Sequence, residues 1–277
     1  MNNMIDEQLI AQKEARLNKI LGSFENALVA FSGGVDSSFL LFKTMSLLGS
    51  KKVIAATGDS VLRPEEEIAR ARLIGTRLKV KHSIVKTAEL TLDNFYTNPP
   101  QRCYYCKKEL YGKLNDLAYE YGIKTVLDGT ITEDEAEYRP GLRAAMEFGV
   151  VSPLRDVLMT KAEIRFLSRK YGLITWDKPA ATCLATRFPY GEKLERDKIE
   201  RVDMAERALR KIGFAGDLRV RSHGELARIE VGPQEMPRLL EKQKEIIKKL
   251  RGLGFDYITL DLGGFKSGSM DLNLPHK

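Results

Sequence analysis

Seven residues, SGGVDSS (Ser32 to Ser38), follow the apolar run NALVAF, placing two glycines, an acid and three hydroxyls at the end of an apparent buried strand. A strand that ends in Ser-Gly-Gly and runs straight into a helix brings several backbone N–H groups and the positive helix end to one point. That arrangement is an anion site. Gly33 and Gly34 let the backbone approach a phosphate closely and take positive φ. Ser32, Ser37 and Ser38 add hydroxyl donors, and Asp36 is placed to hold Mg2+ or to position a hydroxyl. The loop lacks the Gly-Lys-Ser/Thr ending of a Walker A motif and the third glycine of the dinucleotide fingerprint. The plain alternative is a glycine-rich turn whose hydroxyls cap the helix.

A second group of reactive side chains is the chain's three cysteines. Cys103 and Cys106 form C-x-x-C in QRCYYCKKELY, at the start of a predicted helix. The i, i+3 spacing puts both sulfurs on one face, and the positive helix end suits anionic sulfur. Lys107 and Lys108 add positive charge. Cys183 lies far away in sequence, in an irregular segment that could fold over the carboxyl ends of the strands, where α/β sheets bind ligands. A thioredoxin-type redox pair would need a strand just before it, and NPPQR stands there instead. A structural zinc site would want a fourth ligand, yet His82, His223 and His276 show no ligand-like spacing. A [4Fe–4S] cluster on three cysteines would leave one iron open. From the residues alone, zinc, cluster and unrelated thiols stand level.

The elements that must position these groups alternate between strand and helix in the first half. Apolar runs suited to buried strands occupy 27–31, 52–57, 82–86 and 124–128, with helical patterns at 36–48, 64–78 and 102–121 between them. That order predicts a parallel sheet with crossover helices. Thr160 and Glu163 form a capping box ahead of a helix over 160–171. Beyond the irregular stretch DKPAATCLATRFPYGEKL come a helix over 195–212, strands near 217–222 and 226–231, a long helix over 234–251 and a strand near 256–261. The expected architecture is therefore a Rossmann-like α/β domain over 1–178, a joining segment over 179–194 carrying Cys183, and a small α+β domain over 195–277.

At 277 residues the chain can bury a sizeable core, and its 45 basic against 38 acidic residues give a net charge of +7. This balance suits phosphate-bearing ligands, but it is spread along the chain, so nucleic acid is not an expected partner. No apolar run approaches the roughly 20 residues that span a bilayer. The N-terminus reads as a charged amphipathic helix without a signal-peptide core, and a cytoplasmic location is expected.

The pattern Ser-Gly-Gly-x-Asp-Ser resembles the PP-loop of N-type ATP pyrophosphatases, which cleave ATP between the α and β phosphates and pass AMP to a substrate. That likeness implies adenine along the ends of the first two strands, at Ala30, Phe31 and Thr57 to Ser60. It also places Asp128, Gly129 and Thr130 of VLDGT beside the nucleotide. More narrowly, AFSGGVDSS, VLDGT, DEAEYRPGLRAA, RFPYG and LDLGGFKSGSM, in that order, resemble the LarE-type ATP-dependent sulfur transferases over about residues 15–272. The resemblance implies ATP and Mg2+ as cofactors and pyridinium-3,5-biscarboxylic acid mononucleotide as substrate, on the route to a nickel-pincer cofactor. A carboxylate would be adenylylated and AMP then displaced by sulfur. One version of the family sacrifices a single cysteine near RFPYG. The other holds a [4Fe–4S] cluster on three, and Cys103, Cys106 and Cys183 match that version.

Arg219 and Arg221 alternate with apolar residues in LRVRSH, so they share one strand face. They are candidate binders of the substrate's phosphate or carboxylate, with Arg187 and with Glu230 opposite in the hairpin. Tyr138 and Arg139 are candidates for the pyridinium pocket. A sulfide source and a homo-oligomeric assembly are the expected partners. Three competing functions are a tRNA thiolase, an ammonia-dependent amide synthetase and a zinc-stapled nucleotide-binding protein. Extra zinc-binding cysteines or an RNA-binding module would mark the first, and neither is evident. Indifference to loss of the cysteines would mark the second, and zinc without sulfide the third.

Overall fold

The computed structural model describes residues 6–134, 141–179, 182–266 and 268–270. The chain divides into two compact units, one formed by residues 1–60, 65–89 and 101–181, the other by 61–64, 90–100 and 182–277. In chain order the elements are α1 (Glu7–Gly22), β1 (Ala27–Ala30), α2 (Val35–Leu48), β2 (Val53–Asp59), α3 (Glu65–Leu78), β3 (Lys81–Lys86), α4 (Asp93–Tyr96), α5 (Arg102–Glu120), β4 (Val126–Leu127), α6 (Gly141–Glu147), α7 (Pro153–Asp156) and α8 (Lys161–Lys170). They continue with α9 (Arg196–Ile212), β5 (Leu218–His223), β6 (Leu226–Val231), α10 (Met236–Glu241), α11 (Gln243–Arg251) and β7 (Tyr257–Leu260).

The first unit is a parallel sheet in the order β3-β2-β1-β4. Its central strand is apolar at successive positions because both faces are covered. Val29 joins Leu17, Leu21, Phe39 and Leu40 on one side, while Leu28 joins Ile54, Tyr111, Leu114 and Val126 on the other. The expected Rossmann-like α/β class is what the chain adopts. α3 starts with Glu65, Glu66 and Glu67, whose charges suit the positive helix end. α8 carries the predicted capping box: Thr160 Oγ1 accepts from the Glu163 amide at 3.3 Å, and Glu163 Oε2 accepts from the Thr160 amide at 2.8 Å. Burying Ile164 and Leu167 contributes about 1.5–3 kcal/mol each, against roughly 1 for the cap. Packing therefore holds α8 in place, and the cap decides where it begins.

The second unit has a three-stranded sheet in the order β5-β6-β7, with an antiparallel hairpin and β7 parallel to β6. Ile199, Val202 and Leu209 of α9 and Ile246 and Leu250 of α11 are buried. The single long helix expected over 234–251 is instead a 3-10 turn at Pro233–Glu235 followed by two helices. Pro237 fits only within a first helical turn, which sets the start of α10. At Lys242 ψ opens to 8°, yet its amide still reaches Arg238 O at 3.1 Å and its carbonyl the Ile246 amide at 3.1 Å. The run is interrupted there by a single turn residue, with the flanking hydrogen bonds kept.

The segment at 90–100 shapes the RFPYG motif. Buried Asn98, in the left-handed region at φ 48°, donates from Nδ2 to the carbonyls of Phe188 and Pro189 at 3.2 and 2.8 Å. Asn tolerates that conformation better than most residues. Replacing Thr160 with alanine removes one half of the α8 capping box. We expect Thr160→Ala to lower unfolding stability by about 1 kcal/mol in urea titrations, with Thr160→Ser close to the parent.

Candidate functional site

In the first unit β1 sits between β2 and β4, so the strand order reverses there, and ligands of open α/β sheets bind at the carboxyl ends at such a point. Phe31 continues the ladder, its amide bonding Ala56 O at 2.8 Å, and the chain then turns through Ser32 and Gly33 into α2. Gly33 adopts φ +71° and Gly34 is the N-cap. Ser32 Oγ accepts from the Gly34 amide at 3.2 Å and lies 3.0 Å from Ser37 Oγ. Buried Ser38 Oγ has no hydrogen-bond partner among the described residues. Amides of a first helical turn have no intrahelical acceptor, so this turn offers donors to an anion. Asp36, in the same turn, forms an ion pair with Lys161 of α8 at 2.5 Å. One carboxylate beside the amides of a helix start is a donor set that suits Mg2+, which commonly takes one or two carboxylates plus phosphate oxygens.

Ala30 ends β1, half-buried. Thr57 is fully buried, and its hydroxyl donates to Phe31 O, so His82 Nε2, 2.8 Å away, must be the donor in their contact. Burial, reinforced by Arg72, lowers the His82 pKa.

Across the switch point Asp128 follows β4. The Asp128 amide bonds Val151 O at 2.9 Å, which brings Ser152 alongside. Asp128 is 2% exposed, and its carboxylate accepts from Tyr111 at 2.6 Å, Ser152 at 2.7 Å and Thr130 Oγ1 at 2.8 Å. Lys107 donates to the Tyr111 hydroxyl at 3.0 Å. Burial pushes the Asp128 pKa up, but Lys107 and the three hydroxyls outweigh it and hold the pKa below the usual carboxylate range. Burial and the nearby carboxylate push the Tyr111 pKa up to about 12, despite Lys107. Next to Asp128, a Cβ on Gly129 would come within 2.9 Å of the Ser37 amide nitrogen, so this loop lies against the start of α2. Only glycine permits that approach.

Cys103 and Cys106 lie in the first turns of α5, Cys103 exposed and Cys106 half-buried with Sγ 3.6 Å from Glu89 Oε1. Cys183, also exposed, caps the 3-10 turn Leu184–Arg187 in the second unit. None of the three forms a disulfide. The thiols fit an iron–sulfur cluster in kind, and two of them fit in spacing. Among the described residues no group of three or more His, Cys, Asp or Glu side chains gathers as a metal site.

In the second unit Arg187 is 2% exposed and faces Glu206 with Nε–Oε1 at 2.8 Å and Nη2–Oε2 at 3.1 Å. Its Nη1 reaches Thr182 Oγ1 at 2.6 Å and Cys183 O at 3.2 Å. Its nitrogens are thus engaged in shaping the Cys183 turn, not turned toward a ligand. Arg221 is bound to Glu230 at 2.8 Å and to Thr186 O at 2.8 Å. Glu230 also accepts from Ser269 at 2.8 Å and Arg228 at 3.2 Å. Arg219 differs. It is buried against the Phe265 ring at 5.0 Å, and its one hydrogen bond among the described residues goes to Leu218 O. Burial, then repulsion from Arg187, pulls its pKa down to about 10 despite Glu206. A cation so placed is short of anionic partners. Tyr138 and Arg139 lie outside the described residues.

Sequence reasoning missed Lys161, Tyr111, Ser152 and Glu206, each an ordinary residue made significant by a partner far along the chain. It also missed Lys178, whose Nζ donates to Gly33 O at 2.9 Å.

A parallel sheet with Ser-Gly-Gly-Val-Asp-Ser-Ser leading from its central strand into a helix defines an ATP pyrophosphatase-type α/β protein of the PP-loop class. No family model matches the chain. It is 39% identical over 262 residues, 95% of each chain, to the pyridinium-3,5-bisthiocarboxylic acid mononucleotide synthase of Lactiplantibacillus plantarum. It is also 39% identical over 266 residues to an uncharacterised protein of Synechocystis, covering 95% of this chain and 98% of that one. A glutamine-hydrolysing GMP synthase chain of Thermoplasma volcanium is 29% identical over 168 residues, 55% of this chain and 53% of its own. The chain belongs to the LarE family of sulfur transferases.

The depressed Asp128 pKa carries a pH signature. Its contribution to stability is present above the ordinary carboxyl value of 3.8 and is lost as pH falls through the lower folded value. Asp128→Asn should cost about 2 kcal/mol at pH 7, with the gap to the parent narrowing below pH 4 in denaturant titrations.

Proposed function

We infer that this protein is an ATP-dependent sulfur transferase acting on pyridinium-3,5-biscarboxylic acid mononucleotide. A substrate carboxylate attacks the α-phosphorus of ATP, pyrophosphate leaves, and a sulfur nucleophile then displaces AMP to give a thiocarboxylate. The observation that carries this reading is the 39% identity over 95% of both chains to a protein named for the bisthiocarboxylic product. Half-length likeness to GMP synthase chains supports the nucleotide half of the chemistry.

In this reading the amides of the α2 start, with Ser32, Gly33, Gly34, Ser37 and Ser38, hold the phosphates, and Asp36 holds Mg2+ on them. Ala30 lines the adenine side, Thr57, fully buried, supports it from behind by holding the Phe31 carbonyl, and Asp128 with Gly129 backs the loop. Arg219, short of anionic partners, takes the substrate's phosphate or carboxylate, aided by Arg221 and Glu230. Arg187 acts by holding the turn that bears Cys183.

Cys103, Cys106 and Cys183 would ligate a [4Fe–4S] cluster. Such a cluster, with one iron left open, supplies a sulfur nucleophile without consuming a protein thiol. The thiols on the α5 start favour this over the one-cysteine alternative, because a lone sacrificial Cys183 leaves that pair without a task. A sulfide source and homo-oligomeric assembly complete the reading.

Two experiments test it. Asp36→Ala should lower pyrophosphate release from ATP at least about 100-fold. Its unfolding midpoint should hardly move, because the half-exposed Lys161 pair is worth under about 1 kcal/mol. Unchanged pyrophosphate release would put the site elsewhere. In the second, protein reconstituted anaerobically with iron and sulfide should turn over repeatedly, and Cys183 should keep its mass. Each Cys→Ala variant should lose iron and activity together. Dehydroalanine at position 183 after one turnover, with no iron requirement, would replace the cluster with the sacrificial route and leave the sulfur-transferase assignment standing.

A further inference from the structure

The peptide joining Gly33 to Gly34 is gripped from outside the loop. Lys178 is 6% exposed, and its ammonium donates to Gly33 O at 2.9 Å and to Glu67 Oε2 of α3 at 2.6 Å. A buried ammonium without a counter-charge would be costly, and Glu67 supplies it. One helical turn on, Ala71 closes the other side of Gly33: a Cβ there would meet Ala71 Cα at 3.2 Å. Glu67 and Ala71 are four apart and share a face of α3. The backbone of Lys178 is fixed in turn, because Arg165 of α8 donates to the carbonyls of Trp176 and Lys178 at 2.7 and 2.8 Å.

In a trans peptide the carbonyl and the N–H point in opposite directions. Holding Gly33 O toward Lys178 therefore turns the Gly34 N–H the other way, toward Ser32 Oγ at 3.2 Å and the loop interior. A flip of this peptide would aim a carbonyl dipole at whatever anion the loop holds. Glycines on both sides make such a flip inexpensive, so an external restraint is needed.

We propose that Lys178 is a positioning residue for the phosphate cradle: by binding Gly33 O with Glu67 as its anchor, it keeps the Gly33–Gly34 peptide in the anion-accepting orientation. This rests on the reading of the loop as the ATP site. It predicts selectivity, since adenosine has no phosphate to sense the peptide.

The test is calorimetric titration of the full chain, wild type and Lys178→Met, with ATP, pyrophosphate and adenosine. Lys178→Met should bind ATP and pyrophosphate about tenfold more weakly while adenosine affinity stays within about twofold. Lys178→Arg, which keeps a donor, should recover part of the loss. Equal ATP affinity in wild type and variant overturns the proposal, as does a parallel loss of ATP and adenosine, which would mark a merely structural lysine. If Lys178→Met does not fold, Glu67→Gln decides. It loosens the anchor and should weaken ATP about threefold with adenosine unchanged, and wild-type ATP affinity there overturns the proposal. A wild-type protein that binds no ATP overturns the nucleotide reading together with this one.

Discussion

A carboxylate buried at the end of a strand persists only if its surroundings neutralise it. Asp128 meets that condition through Tyr111, Ser152, Thr130 and, behind Tyr111, Lys107. These partners come from α5, from the segment before α7 and from the loop itself. One buried charge therefore fixes three pieces of backbone. Gly129, next in line, is brought against the Ser37 amide at the α2 start. Lys107 follows Cys106 directly, so the same charge also fixes the turn that carries the C-x-x-C pair. The glycine-rich loop and the C-x-x-C pair are positioned from a common hub in the first unit.

The second unit works by excess of the opposite sign. Glu206 is saturated by Arg187, and Glu230 by Arg221, Arg228 and Ser269. Arg219 is left against an aromatic ring with cations as its main electrostatic neighbours. Such an arrangement costs stability, because a buried cation is stabilised chiefly by the counter-charge it meets.

Likeness to GMP synthase chains covers about half of this protein, whereas likeness to the bisthiocarboxylic acid mononucleotide synthase covers 95% of it. The pyrophosphatase-type fold is thus shared equipment. Of the residues singled out in the sequence, Cys103 and Cys106 belong to the first unit, and Cys183, Arg219 and Arg221 to the second.

From the sequence alone one could read whatever local physics dictates. The strand-to-helix loop at Ser32 to Ser38, the capping box of Thr160 and Glu163, and the buried runs of β1 and β2 each depend on neighbours a few residues away. The parallel order followed from strands alternating with helices, and the thiol pair from its helical spacing. Tertiary structure alone decided which distant side chains meet. Lys161 finds Asp36 across 125 residues, and Lys178 finds Gly33 across 145. Lysines and glutamates are common and carry no mark of their future partners, so only the packed fold selects the pairing. Arg187, Arg219 and Arg221 look alike in the sequence. Burial and the counter-charge each one meets made the first a brace and the third half of an ion pair, and left the second against an aromatic ring with one backbone carbonyl. The break at Lys242 likewise lies beyond periodicity, because the apolar spacing of an interrupted helix and a continuous one is the same.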